Sequence, residues 1–332
     1  MKIVVESHIP YIKGLLEPFG EVSYVETSLI DSSTVSDADA LIVRTRTRCD
    51  AALLDGSKVK FIGTATIGTD HIDLGYCRDN GITVCNAPGC NAPAVAQYVM
   101  SVIGNYMQMR GITQTSTLTL GVVGVGHVGS IIARWAKQLG FKVLLNDPPR
   151  AEKEYFDCCA DLDEVVANSD IITFHTPLTR EGRFATWHLC DADFLGKLGK
   201  CRLIINAARG GICDNNALQS WNGDVAIDCW ENEPGISRQL LAKAFVATPH
   251  IAGYSSEGKR RATAMIIKAI NSHFGINAPV PYVSAPYLGA ADVTLAGIMQ
   301  SYNPLADTAV LKSQPENFEN LRNHYNLRHE VE

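Results

Sequence analysis

The stretch from Leu118 to Asp147 constrains the fold more than any other. It reads L-T-L-G-V-V-G-V-G-H-V-G-S-I-I-A-R-W-A-K-Q-L-G-F-K-V-L-L-N-D, with Gly124, Gly126 and Gly129 forming a G-x-G-x-x-G. The apolar run Leu118–Val123 predicts a buried strand entering the glycines, and Ser130–Leu139 predicts a helix leaving them. A second apolar run, Lys142–Leu145, leads to Asp147, 18 residues past Gly129. A bare glycine triplet is a weak signal. Strand, turn, helix and an acid at this distance are the full context of a dinucleotide-binding unit.

Each glycine answers a different demand. Gly124 permits the tight turn, Gly126 lets backbone approach a pyrophosphate, and Gly129 lets the helix pack close to the sheet. His127 and Val128 lie inside the same loop, ahead of the helix whose N-terminal N–H groups attract phosphate charge. Asp147 is placed to accept from ribose hydroxyls and to repel a 2′-phosphate, which favours NAD over NADP. Arg150, in D-P-P-R, is the residue that works against this preference.

The rest of the chain continues the α/β rhythm. Its 332 residues suggest about two domains, at ~150 residues each. Hydrophobic residues make up 46% and charged residues 19%, enough for a substantial core. The net charge of −6 argues against nucleic acid as a partner. No apolar run reaches the ~20 residues of a membrane span. No secretory leader is recognisable after Met1-Lys2. None of the ten cysteines forms a C-x-x-C pair, so no metal site is expected. Cys201, Cys213 and Cys229 read as small buried hydrophobes. Reduced thiols and a cytoplasmic location are the expectation.

Before the glycine motif, Lys2–Val5, Val22–Val25, Ala40–Val43, Phe61–Ala65 and Ile82–Val84 read as strands, with helices at Tyr11–Phe19 and Asp70–Asn80. Residues 91–111 give a long helix that carries the chain into the second domain. There the candidate strands are Leu118–Val123, Val143–Leu145, Ile171–Phe174, Leu203–Ile205, Val225–Ile227 and Phe245–Ala247. Residues 257–274 read as helix, with Ala262, Ile266, Ile267 and Ile270 inward. Residues 275–290, with Pro279, Pro281 and Pro286, read as a linker. The expectation is two doubly wound parallel-sheet domains. Residues 1–92 and 257–275 form a flavodoxin-like substrate domain, 93–256 a Rossmann NAD domain, and 276–332 a small C-terminal dimerisation region.

Ligands of open α/β sheets sit outside the carboxyl ends of the strands. Three strand ends there carry Arg209, Glu233 and His250. Oxidising a hydroxy acid needs a base for the hydroxyl proton, and histidine as a residue type titrates near neutrality. A carboxylate fixes the ring's tautomer, and a guanidinium holds a substrate carboxylate with two parallel hydrogen bonds. Singly, each residue has a plain structural reading: a loop histidine, a surface ion-pair arginine, a turn glutamate. Together they form a sufficient set around one cofactor. Asp228 is placed to reach the nicotinamide carboxamide, and His175-Thr176-Pro177 reads as cofactor contact. In the first domain, Thr64–Gly68 offers backbone N–H groups that suit a carboxylate. Thr45 offers a hydroxyl. Arg44, Arg46 and Arg48 share a face if their strand continues, and Arg44 is the choice for a substrate phosphate. The plainer reading is a charged edge that deters strand pairing.

The series G-V-G-H-V-G, H-T-P-L, N-A-A-R-G, D-C-W-E-N-E-P and T-P-H-I-A-G-Y resembles the D-isomer-specific 2-hydroxyacid dehydrogenases. Gly63–Asp73, Ala87–Ala92, Tyr302–Asp307 and Phe318–Tyr325 narrow the match to the branch acting on 4-phospho-D-erythronate in vitamin B6 (pyridoxine) synthesis. The resemblance implies NAD as cofactor, a small phosphorylated 2-hydroxy acid as substrate, and a homodimer. It implies Arg209, Glu233 and His250 as the catalytic trio. It implies cofactor contacts at Asp147, Thr176, Ala207 with its neighbour Ala208, Asp228 and Gly253, and substrate contacts at Thr45, Thr66 and Tyr254. Glu6-Ser7-His8 departs from the branch's usual Asp-Glu-Asn, Thr45 replaces a serine, and the region from Gly275 to Tyr302 is short. Competing readings are a 3-phosphoglycerate, glycerate or D-lactate dehydrogenase, and an NAD-sensing interaction protein on the same fold.

Overall fold

A computed structural model describes residues 1–154, 159–283 and 293–331, and the chain divides into two units. One comprises Met1–Asn91 and Ser255–Ala285, the other Ala92–Tyr254 and Pro286–Glu332. Pro286 and the linker residues from 284 onward lie outside the described residues.

The first unit is built on β1 (Lys2–Glu6), β2 (Glu21–Val25), β3 (Ala40–Val43), β4 (Phe61–Thr64) and β5 (Thr83–Cys85). All pair in parallel in the order β2-β1-β3-β4-β5, the flavodoxin-like order. The inner strands β1, β3 and β4, buried on both faces, are nearly continuous apolar runs, while the edge strands β2 and β5 are exposed or half-buried. The helix Ser256–Phe274 covers one face with Ala262, Ile266, Ile267 and Ile270, against Ile3, Val5, Ile42 and Phe61. A Cβ on Gly63 would stand 2.7 Å from Ile266 Cγ2, so the helix rests directly on the β4 backbone. Ser255 caps this helix through Gly258 N, and Gly275, at φ 66°, ends it.

Two expected helices differ. Tyr11–Phe19 is a string of turns ending in a 3-10 turn at Glu17–Phe19. Tyr11 and Gly14 have φ of 61° and 89°, which a helix does not accept. Asp70–Asn80 contracts to Leu74–Asp79, because the Asp73 side chain caps Tyr76 N.

The second unit holds β6 (Thr119–Val123), β7 (Lys142–Asn146), β8 (Ile171–Phe174), β9 (Leu203–Asn206), β10 (Asp224–Ile227) and β11 (Val246–Ala247). Their order is β11-β10-β9-β8-β6-β7, all parallel. This is the Rossmann order with its outer edge strand reduced to one parallel bridge, Leu145 to Cys159. Alternate residues face opposite sides: Leu120 and Val122 join one core, Val123 the other. Ala92–Met109 is buried along almost its whole length, and a Cβ on Gly104 would meet Met299 Sδ at 2.5 Å.

The segment expected as a separate C-terminal region divides between the units. Helices Leu295–Ser301, Pro304–Ser313 and Phe318–Asn323 follow the linker. Val293, Ile298 and Tyr302 enter one core of the second unit; Leu311 and Phe318 enter the other. No described helix is long and apolar enough to cross a membrane. Among the described residues Cys201, Cys213 and Cys229 are buried free thiols.

Candidate active site

The order of the second sheet reverses between β6 and β8, the switch point where α/β sheets bind ligands. The glycine loop leaves β6 there. Gly124 has φ 90°, and a Cβ on it would press into the His175 and Thr176 backbone at 2.7–2.8 Å. A Cβ on Gly129 would lie 2.0 Å from Gly124 O, so this turn closes only on glycine. Gly126 faces open space and begins the helix His127–Gln138, with His127 and Val128 in its first turn. The helix therefore starts at the loop, not at Ser130, and presents its first N–H groups there.

Asp147, expected at the ribose, has contacts within the protein. Its Oδ2 accepts from Val125 N at 2.8 Å, and its Oδ1 accepts from Arg150 N at 3.1 Å, so the carboxylate also holds the loop. Arg150 donates to Val125 O at 2.6 Å and to Glu154 at 2.7 Å. On the β8 side, burial drives the His175 ring down to about 3, so it is uncharged at neutral pH. Its Nε2 lies 2.8 Å from Thr173 Oγ1, while His175 Nδ1 and Thr176 Oγ1 are buried with no protein partner. Unmet buried polar atoms facing a glycine cradle fit a dinucleotide.

The trio occupies three neighbouring strand ends. After β9, Asn206 brackets the loop: its Oδ1 accepts from Ala208 N and its Nδ2 donates to Arg209 O at 2.9 Å. Ala207 is buried between them, and Arg209 Nη1 donates to Ala208 O at 2.8 Å. A Cβ on Gly210 would lie 2.0 Å from Trp230 O, so the arginine loop lies directly on the loop after β10. There Glu233 accepts from Trp230 N at 2.9 Å and lies 3.0 and 2.9 Å from His250 Nδ1 through its two oxygens. Burial pushes the Glu233 carboxyl up. His250, the Trp230 N–H and Arg322 outweigh it and hold the carboxyl below the usual carboxylate range. With Nδ1 engaged, the histidine keeps Nε2 for chemistry.

His250 sits at φ 58°, a left-handed backbone uncommon for this residue. Asp228 supports it. The Asp228 carbonyl accepts from His250 N at 3.0 Å, and its carboxylate accepts from Ile251 N, Ala252 N and Thr248 Oγ1 at 2.7, 3.0 and 2.7 Å. Burial raises the Asp228 carboxyl, partly opposed by His250 and these donors. The aspartate expected to face the nicotinamide thus anchors the histidine loop as well. Gly253 and Tyr254 follow in the same loop, and Tyr254 N donates to Ile251 O at 2.8 Å.

Thr45, Thr66 and Arg44 belong to the first unit. β3 ends at Val43, so the expected shared face of Arg44, Arg46 and Arg48 does not form. Arg44 instead clasps the fully buried Glu6 through Nε at 2.5 Å and Nη2 at 3.0 Å. Arg48 is exposed beside Asp50. Thr45 is exposed in the turn after β3. Thr66 Oγ1 is 2.7 Å from Thr64 Oγ1, which lies 3.1 Å from His71 Nε2.

Residue patterns alone missed Arg322 and Arg328. Arg322 Nη1 lies 3.5 Å from Glu233, and its Nε donates to the Tyr254 hydroxyl at 3.3 Å. Arg328 is buried against the loop after His250. The available signal was two arginines in an amphipathic tail, which singles out no partner. Also missed was His188, 2.6 Å from Glu231 and donating N–H to Gly211 O, which joins the loops after β9 and β10.

Residues 94–252 match the family described as D-isomer specific 2-hydroxyacid dehydrogenase, NAD binding domain. The chain is 46% identical over 340 residues to the erythronate-4-phosphate dehydrogenase of Bacteroides thetaiotaomicron, covering 99% of this chain and 97% of the relative. It is 40% identical to the erythronate-4-phosphate dehydrogenase of Marinobacter nauticus, covering 99% and 93%. Among solved structures, the TT0316 protein of Thermus thermophilus superposes with a TM-score of 0.70 at 26% identity, covering 85% of this chain and all of that one. The NAD+-bound 3-phosphoglycerate dehydrogenase of Entamoeba histolytica gives 0.68 at 24% identity, covering 86% and 99%, a likeness of fold. Carried across the whole length of this sequence, the match makes the chain a member of the erythronate-4-phosphate dehydrogenase family, within the NAD-dependent D-isomer-specific 2-hydroxyacid dehydrogenases.

Proposed function

We propose that this chain oxidises 4-phospho-D-erythronate to 2-oxo-3-hydroxy-4-phosphobutanoate, a step toward pyridoxal phosphate. The observation that carries the mechanism is the paired contact of Glu233 with His250 Nδ1 at 2.9 and 3.0 Å. NAD, when bound, supplies the acceptor for the hydride from C2. His250 takes the hydroxyl proton at Nε2 as the carbonyl forms, and Glu233 stabilises the charge that the ring gains. Arg209 holds the substrate carboxylate and polarises the forming carbonyl. Gly124, Gly126, His127, Val128 and Gly129 would hold the pyrophosphate and Asp147 the ribose, with Thr176, Ala207, Ala208, Asp228 and Gly253 as further cofactor contacts. Thr45, Thr66 and Tyr254 serve the substrate. The Glu6 ion pair makes Arg44 first a support of its loop, and a phosphate ligand only through what the guanidinium has left.

The test is NADH formation with 4-phosphoerythronate beside 3-phosphoglycerate and D-lactate, with a 2-oxo acid present to reoxidise retained NADH. Preference for 4-phosphoerythronate is expected. Preference for another acid would discard the substrate and keep the chemistry. NAD binding without turnover on any acid would favour a sensor. A homodimer and a cytoplasmic location belong to the same reading, and sedimentation of the full chain tests the former.

A further inference from the structure

The loop after His250 carries buried carbonyls as well as buried N–H groups. Ile251 and Ala252 are almost fully buried, so both sets need partners inside the protein. Asp228 takes the N–H groups of both residues. The Ile251 carbonyl accepts from Tyr254 N at 2.8 Å, and one side chain, Arg328, donates to the carbonyls of Ile251, Ala252 and Tyr254. Its Nη1 donates to Ile251 O at 3.0 Å and to Tyr254 O at 3.1 Å. Its Nη2 donates to Ala252 O and, at 3.1 Å, to Ala94 O. Its Nε donates to Gln97 Oε1 at 3.2 Å. A guanidinium has five N–H donors, and here each has an acceptor.

The supports of Arg328 are fixed in turn. Its guanidinium carbon lies 4.3 Å from the centre of the Tyr302 ring, and the Tyr302 hydroxyl donates to Asp307 at 2.7 Å. Gln97, on the long helix, donates to Ser301 Oγ at 2.9 Å and to His329 O at 3.0 Å, tying the tail on both sides of the arginine's anchor. Asp228 therefore holds the N–H groups and Arg328 the carbonyls of Ile251 and Ala252, directly after the residue held at φ 58°.

We infer that Arg328 is a positioning residue for the catalytic base: the C-terminal tail sets the aim of His250 by fixing the carbonyls of the loop that follows it. This rests on the dehydrogenase reading for its kinetic arm and assigns the tail a role in turnover distinct from dimerisation. Lysine cannot replace the arginine, because one ammonium with three donors cannot face carbonyls from several directions.

The test compares Arg328→Met and Arg328→Lys with the wild type as full chains. Turnover with 4-phosphoerythronate is expected to fall about 100-fold in Arg328→Met, as misplacement of a reacting group predicts, with NAD affinity within about threefold of wild type. Arg328→Lys is expected to fall at least about tenfold despite keeping the charge. Deuterium exchange should speed up at residues 248–254 and stay unchanged in β8. The inference is overturned if a folded variant keeps turnover within about twofold of wild type. Equally, faster exchange throughout both sheets would overturn it, marking a support of the whole unit. Should Arg328→Met not fold, Arg328→Lys carries the same readouts. If the wild type reduces no NAD with this acid, the proposed function fails while the exchange comparison still decides the role of Arg328.

Discussion

His250 and Glu233 divide the work at the smallest scale. In the proposed mechanism the imidazole acts on the substrate proton, and it lies on a loop separate from the glycine cradle. His250→Ala is expected to lower turnover by about 10²–10⁴-fold while NAD titration gives an affinity close to wild type. A variant with full turnover would remove the base from this position. On the acid side Arg322 contributes after His250 and the Trp230 N–H. It helps hold the Glu233 carboxyl below the usual carboxylate range, so Glu233 stays ionised as pH falls. A carboxylate with a lowered folded pKa contributes stability above its unfolded value, and that contribution is lost as pH falls through the folded one. In Arg322→Met the folded value rises, so both activity and stability should start to fail at higher pH on the acid side. Acid titrations of turnover and of unfolding check this, and coincident curves for variant and wild type would refute it. At Asp228 the prediction concerns hydrogen bonds: asparagine keeps the shape but turns one acceptor into a donor facing Ile251 N or Ala252 N. Asp228→Asn should destabilise by about 1–3 kcal/mol in denaturant melts.

Among the elements, the central parallel strands were legible because they are short apolar runs, buried on both faces and bounded by polar residues. Ala40–Val43 and Ile171–Phe174 match residue for residue, and the bounds of the others shift by no more than one residue. Tyr11–Phe19 was misread because its apolar spacing suits a helix, while the φ values of Tyr11 and Gly14 forbid one. The glycine cradle and Arg209, Glu233 and His250 could be read from chain order, since strand ends of one parallel sheet must converge. Arg322 and Arg328 could not, because their partners are carbonyls and a carboxylate brought to them only by folding. The glycine turn offers its own test. Gly129→Ala forces a Cβ into a position 2.0 Å from Gly124 O, so the helix must lift from the sheet. The expected loss is at least about 1–3 kcal/mol in thermal or chemical melts, with NAD affinity falling in parallel. A Gly129→Ala protein of normal stability and affinity would contradict the close packing.

At the scale of the whole molecule, the C-terminal tail is part of the second unit's interior. Phe318 is fully buried, among Leu311, Trp230 and the strands of that sheet. Phe318→Ala should cost about 3–5 kcal/mol in denaturant melts, as for a large core aromatic. A much smaller cost would mean that the tail only rests on the surface.

Chain order also gives this architecture a schedule. On a ribosome, the glycine cradle emerges long before the residues that complete either unit. The first sheet waits for Ser256–Phe274 to cover its open apolar face. The loop of His250 waits for Arg328, 77 residues beyond Ile251. A nascent chain of this protein therefore passes through a long interval in which its glycine turn has emerged and the arginine that grips the loop after His250 has not.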